Sequence, residues 1–332
     1  MPKKFKFERL NPGTNILPSI AHAVGGTPLV DLSRLVKHFR VEGRILAKCE
    51  YLNPGFSKKD RPALQMLIEA RENGALKPGQ TVVERTSGNT GTGLAIACAT
   101  LDHPFIAVIS KGNSIERVRM MKALGARVIR VDQAPGSTPG QVTGEDQKLV
   151  VAEVERLVKK LGAFRADQFN LPAILNVHHE TTGPEIIKQS GGAIDAYADF
   201  IGSGGWFGGL GAYLKAEIPG FKCYAVEPEG AESLAGNTVT KPAHVIQGGG
   251  YCLEDLMAIR DMEIDGYLSV SDGRAKECAR ALARYEGIFA GFSSGANVAG
   301  ALELLAGNCK GKTVLVVICD SGLKYLSTGL WE

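Results

Sequence analysis

The chain has 332 residues, 44% of them hydrophobic, enough to bury a large core and better suited to two α/β lobes than to one. Lys and Arg number 38 against 35 Asp and Glu, a net charge of +3, and the charges are scattered apart from a basic cluster between Met1 and Leu10, which argues against nucleic-acid or membrane-surface partners. No window approaches the ~20 apolar residues of a membrane span, the N-terminal cluster lacks the apolar run of a signal peptide, and seven widely spaced cysteines without a C-x-x-C pair suit a reducing cytoplasm, most of them as small core hydrophobes.

In chain order, the first clear strand pattern is Arg44 to Tyr51. Asn53-Pro-Gly-Phe-Ser-Lys-Lys-Asp-Arg61 follows and leads into helical spacing from Pro62 to Ala70. A lysine at a strand-to-helix junction stands where open α/β sheets gather ligands. Burial would lower its pKa and free the amine for Schiff-base chemistry. On this segment alone the better reading is a solvated Lys-Lys-Asp-Arg helix start, with one of Lys58 and Lys59 exposed in either case.

The strand pattern Thr81 to Thr86 runs into the polar turn Glu84-Arg-Thr-Ser-Gly-Asn-Thr-Gly-Thr-Gly-Leu94, ahead of an apolar helix. Hydroxyls, an amide and backbone N–H groups at the positive end of a helix suit a carboxylate. Simple N-capping would need one or two such residues, not four. Strands at Phe105 to Ser110 and Ala126 to Asp132 flank helical spacing from Ile115 to Leu124. The Pro- and Gly-rich stretch Asp132 to Glu145 reads as a long surface loop, and helical spacing resumes from Asp146 to Leu161.

A strand at Ala198 to Ile201 precedes Gly202-Ser-Gly-Gly-Trp-Phe-Gly-Gly-Leu-Gly211 and another helix. Glycines let backbone N–H groups close around a phosphate. A dinucleotide frame starting at Gly202 fails because Phe207 takes its third glycine position, and no Gly-Lys-Ser/Thr ending makes a P-loop, so a monophosphate cup fits better. Lys222 to Glu227 and Thr313 to Cys319 are further strands, and Ala275 to Tyr285 a further helix. Glu286 to Ala296 offers Ser293 and Ser294 at another strand-to-helix junction, either to cap the helix or to meet a pyridine nitrogen. The alternation is that of open parallel α/β sheets.

Together these segments resemble the fold-type II pyridoxal-phosphate enzymes, in the cysteine synthase and cystathionine β-synthase branch. The likeness rests on Val24-Gly-Gly-Thr-Pro-Leu-Val30, Asn53 to Ala63, Thr86-Ser-Gly-Asn-Thr-Gly91, Gln168-Phe-Asn170, Thr181-Thr-Gly-Pro-Glu-Ile186, Gly291-Phe-Ser-Ser-Gly295 and Asp320 to Thr328. It implies an α/β fold of two open twisted parallel-sheet domains, tryptophan synthase β-like, with the cofactor cleft between them. Residues 48–170 would form a smaller, mobile domain, and 1–47 with 171–332 the larger, cofactor-binding one.

Carried over by position, the resemblance makes Lys59, which immediately precedes Asp60-Arg61, the Schiff-base lysine and catalytic residue, with Lys58 a bystander. Asn89 would meet the cofactor's ring hydroxyl, Gly202, Ser203, Gly204, Gly205 and Trp206 its phosphate, and Ser293 its pyridine nitrogen. Thr86, Ser87, Gly88, Thr90 and Gln168 would hold the substrate's α-carboxylate. No metal is implied, and the expected assembly is a cytoplasmic homodimer.

The implied reaction is β-replacement on a serine-derived amino acid, O-acetylserine plus sulfide to cysteine by default. The freed Lys59 amine moves the α-proton, and a serine at the pyridine nitrogen makes a milder electron sink than an aspartate would. The chain departs from the family pattern at Asn113, at Trp206 and at Tyr251, Cys252, Glu254 and Asp255, where the acids could activate a nucleophile or cap a following helix. These departures support another nucleophile (an amine, a thiol amino acid or water) or β-elimination from cysteine or serine. A non-catalytic binder of a partner's C-terminal tail is disfavoured by the intact Lys59.

Overall fold

The computed structural model describes residues 5–9, 16–86, 88–113, 115–137, 142, 144–253 and 255–332. The chain runs β1 (Leu29–Asp31), α1 (Ser33–Phe39), β2 (Arg44–Lys48), α2 (Asp60–Asn73), β3 (Val82–Arg85), α3 (Asn89–Thr100), β4 (Phe105–Ser110), α4 (Ile115–Ala123), β5 (Arg127–Val131), α5 (Gly144–Leu161) and β6 (Phe164–Arg165). It continues through α6 (Ala173–Val177), α7 (Gly183–Ser190), β7 (Ala196–Phe200), α8 (Gly205–Glu217), β8 (Lys222–Pro228), β9 (Gly266–Val270), α9 (Asp272–Ala281), α10 (Phe292–Ala306) and β10 (Thr313–Val317).

Two compact units result, and the chain passes between them at Val24–Gly25, Lys58–Lys59 and Ala173–Ile174. The first comprises the described part of Met1–Val24 with Lys59–Ala173; the second, larger one comprises Gly25–Lys58 with Ile174–Glu332. These bounds differ from the 48 and 170 read from the sequence: the described part of Met1–Val24 falls in the first unit, and the pairing of β2 with β10, the bridge Ser57–Asp320 and the Lys58 N–H on Cys319 O keep the chain up to Lys58 in the larger one.

The first unit is built on a parallel sheet of order β5-β4-β3-β6. All six residues of β4 are buried, which is why that strand is an unbroken apolar run. α5 has the opposite character. Val150, Val154 and Leu157 fall on one face and pack on Val83, Ile106 and Val108, while its charged residues other than Asp146 are not buried. Each of those three side chains contributes roughly 1.5–3 kcal/mol by leaving water. In the first turn of α5, the buried Asp146 holds the preceding loop by accepting from Ala134 N (2.6 Å) and Ser137 Oγ (2.9 Å).

The second unit holds a sheet of order β1-β2-β10-β7-β8-β9, parallel except for β1. β7 is buried throughout, and α10 is buried along most of its length because strands and α9 enclose it. β9 lies at the edge and alternates exposed and buried residues, so it lacks the continuous apolar run that marks its neighbours. A buried ammonium closes the unit's N-terminal side. Lys48 is fully buried and donates to Thr27 O (2.7 Å), Glu185 Oε2 (2.8 Å) and Gln189 Oε1 (2.9 Å). Among the described residues no helix is long and apolar enough to cross a membrane, and no group of three His, Cys, Asp or Glu could hold a metal ion.

Candidate active site

In the first unit, Lys59 is the N-cap residue of α2, half-buried, and its carbonyl accepts from Ala63 N (3.0 Å). α3 lies close against this turn at Gly93, where an added Cβ would stand 2.9 Å from Ala63 Cβ and 3.0 Å from Lys59 O. The glycine therefore sets how near α3 comes to the lysine's backbone. α3 itself starts from Gly88, which has no side-chain cap, so its first N–H groups and positive end point into the Thr86 to Thr90 turn.

Thr90 Oγ1 donates to Gln168 Oε1 at 2.6 Å, and an added Cβ at Gly91 would meet Thr86 Cγ2 at 3.0 Å. The structure thus gathers Thr86, Gly88, Asn89, Thr90 and Gln168 at one helix N-terminus. Ser87 lies outside the described residues.

Beneath that turn sits a buried acid with no role in the sequence reading. Neither carboxyl oxygen of Glu84 makes a hydrogen bond of normal geometry, and Arg165 Nε stands 3.8 Å away while Arg165 Nη2 lies 3.3 Å from Asp167. Burial, then the Asp167 charge, push the Glu84 carboxyl up to about 8, against the pull of Arg165 and Arg85. The folded state therefore binds a proton that the unfolded state releases near 4.5, and this group's contribution to stability falls as pH rises from there to about 8. Glu84→Gln is expected to remove that slope and raise the urea midpoint at pH 8 above wild type. A variant whose midpoint fell between pH 6 and pH 8 as steeply as wild type would contradict it.

In the second unit, β7 leads through Gly202 and Ser203 to Gly204, which caps α8 with φ +80° and no side-chain cap. The left-handed backbone needs glycine at this position. The glycines beyond it do something else. An added Cβ would lie 2.7 Å from Ile174 O at Gly205, 1.8 Å from Ala258 O at Gly208 and 2.3 Å from Leu175 O at Gly209. The glycine run that reads as a phosphate cup is thus part turn and part close packing of α8. Trp206 is buried, its ring 4.8 Å from that of His178 and 5.8 Å from Lys58 Nζ, so only its backbone is available to a phosphate.

Ser293 and Ser294 both lie buried in the first turn of α10, whose N-cap is Gly291 without a side-chain cap. Ser294 Oγ accepts from Cys319 N (2.9 Å). The two lysines of the charged segment are also separated. Lys58 donates to Asp199 Oδ1 (2.7 Å) and Oδ2 (3.0 Å) inside the second unit. Burial works to lower the Lys58 pKa, but the Asp199 carboxylate and Cys319 outweigh it and raise the net value, so this amine stays protonated.

Sequence reading missed Asp199, although an acid within Ala198-Asp-Phe-Ile201 is itself a signal that a buried cation must come to meet it. It also passed over Glu227, buried below a small cavity lined by Gly202, Ser233, Tyr251 and Cys252 and accepting from Leu234 N (2.8 Å) and Ala235 N (3.0 Å). Cys252 is half-buried with φ +53°, whereas the other six cysteines are buried. Asp255 is exposed and paired with Arg260 (2.7 Å), and Glu254 lies outside the described residues. Asn113 is half-buried, its N–H on Ser110 O (3.1 Å).

Residues 20–320 match the family model described as pyridoxal-phosphate dependent enzyme. A cysteine synthase from Staphylococcus aureus is 38% identical over 317 residues, 95% of this chain and 97% of that protein. The crystal structure of O-acetyl serine sulfhydrylase isoform 3 from Entamoeba histolytica matches with a TM-score of 0.88 at 33% identity, over 98% of this chain and 95% of that one. The crystal structure of an O-ureido-L-serine synthase matches with a TM-score of 0.84 at 34% identity, over 96% of each chain.

Proposed function

The chain belongs to the pyridoxal-phosphate dependent enzymes, and from that membership we propose that it replaces the β-substituent of a serine-derived amino acid, by default O-acetylserine with sulfide to give cysteine. The observation that carries the reading is that each unit presents a helix N-terminus without a side-chain cap. α8 follows a glycine turn suited to a phosphate, and α3 follows a hydroxyl-rich turn suited to an α-carboxylate.

The residues fit pyridoxal phosphate. Gly202, Ser203, Gly204, Gly205 and the Trp206 backbone would hold its phosphate, Asn89 its ring hydroxyl and the neutral Ser293 hydroxyl its pyridine nitrogen. When bound, the cofactor supplies an electron sink that acidifies the substrate's Cα–H and lets the β-substituent leave. Lys59 would anchor it covalently, then take the proton from the substrate's Cα and return it there after the nucleophile has added at Cβ. Thr86, Ser87, Gly88 and Thr90, with Gln168 fixed by its bond to Thr90, would orient the α-carboxylate. Lys58 cannot share the base's task, because its amine is held as an ammonium by Asp199.

A second reading, with another nucleophile or net elimination, is favoured by the likeness at nearly equal TM-scores to solved enzymes whose names give different products. A cytoplasmic homodimer completes the proposal, and seven free cysteines suit a reducing compartment. The test incubates the holoenzyme with O-acetylserine, O-phosphoserine, serine or cysteine, each with and without sulfide, and quantifies amino-acid and pyruvate products. Cysteine from O-acetylserine and sulfide is expected. Pyruvate alone would move the assignment to elimination, and no product from any donor would sink both readings.

A further inference from the structure

Lys58 ends the Gly25–Lys58 segment of the second unit, and its side chain is buried in that unit. Its ammonium reaches both oxygens of Asp199, which is 2% exposed, and its backbone N–H donates to Cys319 O at 2.8 Å. Asn297 Nδ2, with two hydrogens to give, lies within hydrogen-bonding distance of Asp199 Oδ1 (3.2 Å), Val317 O (2.9 Å) and Cys319 Sγ (3.4 Å), while its Oδ1 accepts from Phe200 N at 2.6 Å. One buried network therefore ties together the end of β7 three residues before Gly202, the second turn of α10 just beyond Ser293, and the chain leaving β10. The Trp206 ring, in the first turn of α8, lies 5.8 Å from the same ammonium.

Burying a carboxylate and an ammonium is costly, and two apolar residues of similar volume would fill the space with no loss of stability. What an ion pair adds is direction, because its hydrogen bonds fix how the joined segments meet. We propose that the Lys58–Asp199 pair is a positioning device for the cofactor, holding the glycine turn Gly202–Gly205 and the Ser293 turn in the arrangement that receives the phosphate and the ring. This rests on the assignment of those turns to pyridoxal phosphate. Lys58 then touches no reacting atom, yet it sets where the cofactor lies.

The test titrates pyridoxal phosphate into the apoprotein, following tryptophan fluorescence, and records the phosphorus NMR spectrum of the reconstituted protein alongside urea unfolding of the apo form. Lys58→Met is expected to weaken cofactor binding by about 10-fold or more and to broaden the phosphorus resonance, and Lys58→Arg to recover most of the affinity. The double variant Lys58→Met/Asp199→Leu should regain the apoprotein's stability but not its affinity, which separates positioning from space-filling. Should Lys58→Met fail to fold, Asp199→Asn carries the same expectation. Single variants that bind the cofactor within about 2-fold of wild type, or a double variant that regains affinity together with stability, would overturn the proposal. A wild-type protein that took up no pyridoxal phosphate would overturn it along with the cofactor assignment, and is told apart by that fact.

Discussion

Lys59→Ala is expected to lose the visible absorbance of bound cofactor and to lower the turnover of any β-substituted substrate by at least ~10³-fold, since in the proposed assignment one side chain would be both covalent anchor and proton carrier. The neighbouring lysine cannot take over. Lys58 faces into the second unit with its amine held by both oxygens of Asp199, whereas Lys59 opens α2 in the first unit. The decisive measurement is borohydride reduction of the holoenzyme followed by peptide mapping. The label should fall on Lys59 in the wild type, remain there in Lys58→Met at saturating cofactor, and vanish in Lys59→Ala. A label on Lys58, or a Lys59→Ala protein that keeps the absorbance, would show the wrong lysine had been chosen.

Gly208→Ala should cause the largest loss of stability. Its new methyl carbon would stand 1.8 Å from the carbonyl oxygen of Ala258 and 2.9 Å from Leu175 Cδ2. The first of these is backbone and cannot swing aside as a side chain would. Overpacking of this kind costs about 3 kcal/mol or more, and here relief means moving either α8 or the chain around Ala258. Because α8 begins at the glycine turn, cofactor affinity should fall in parallel. Gly273→Ala is the matched control. It also lies in the first turns of a helix, α9, but finds no atom within 4 Å of the added carbon, and alanine suits a helix better than glycine. Urea midpoints separate the two: Gly208→Ala well below wild type, Gly273→Ala at or above it. Equal midpoints would mean that the packing at Ala258 is softer than its geometry.

What could be read in advance followed from the physics each segment obeys. β4, β7, β8 and β10 lie in sheet interiors, and their apolar runs identified them to within two residues at either end. β9 did not stand out, because an edge strand exposing Tyr267 and Ser269 alternates like a surface segment, and β1 and β6 are too short to show any period. The site was legible as motifs of small and hydroxyl-bearing residues at helix starts, where the chemistry demands particular residue types. Its supports were not. Glycine looks the same whether it makes room for a phosphate, as the turn before α8 can, or for a carbonyl, as Gly208 and Gly209 do. Asp199 meets Lys58 across 141 residues of chain, and no local pattern encodes that partnership.

The strand order of the larger sheet also bears on how the chain is made. β10 is the last strand to be synthesised, yet it lies between β2, one of the first, and β7. While the ribosome is still at work, β2 has only its short antiparallel partner and a bare edge, and β7 lacks one of its two neighbours. The sheet of the first unit needs nothing beyond Arg165 and can close early. The larger unit must keep its opening strands in waiting until Thr313–Val317 emerges to join the halves, which makes the nascent chain's longest-lived hazard the apolar face it was given first.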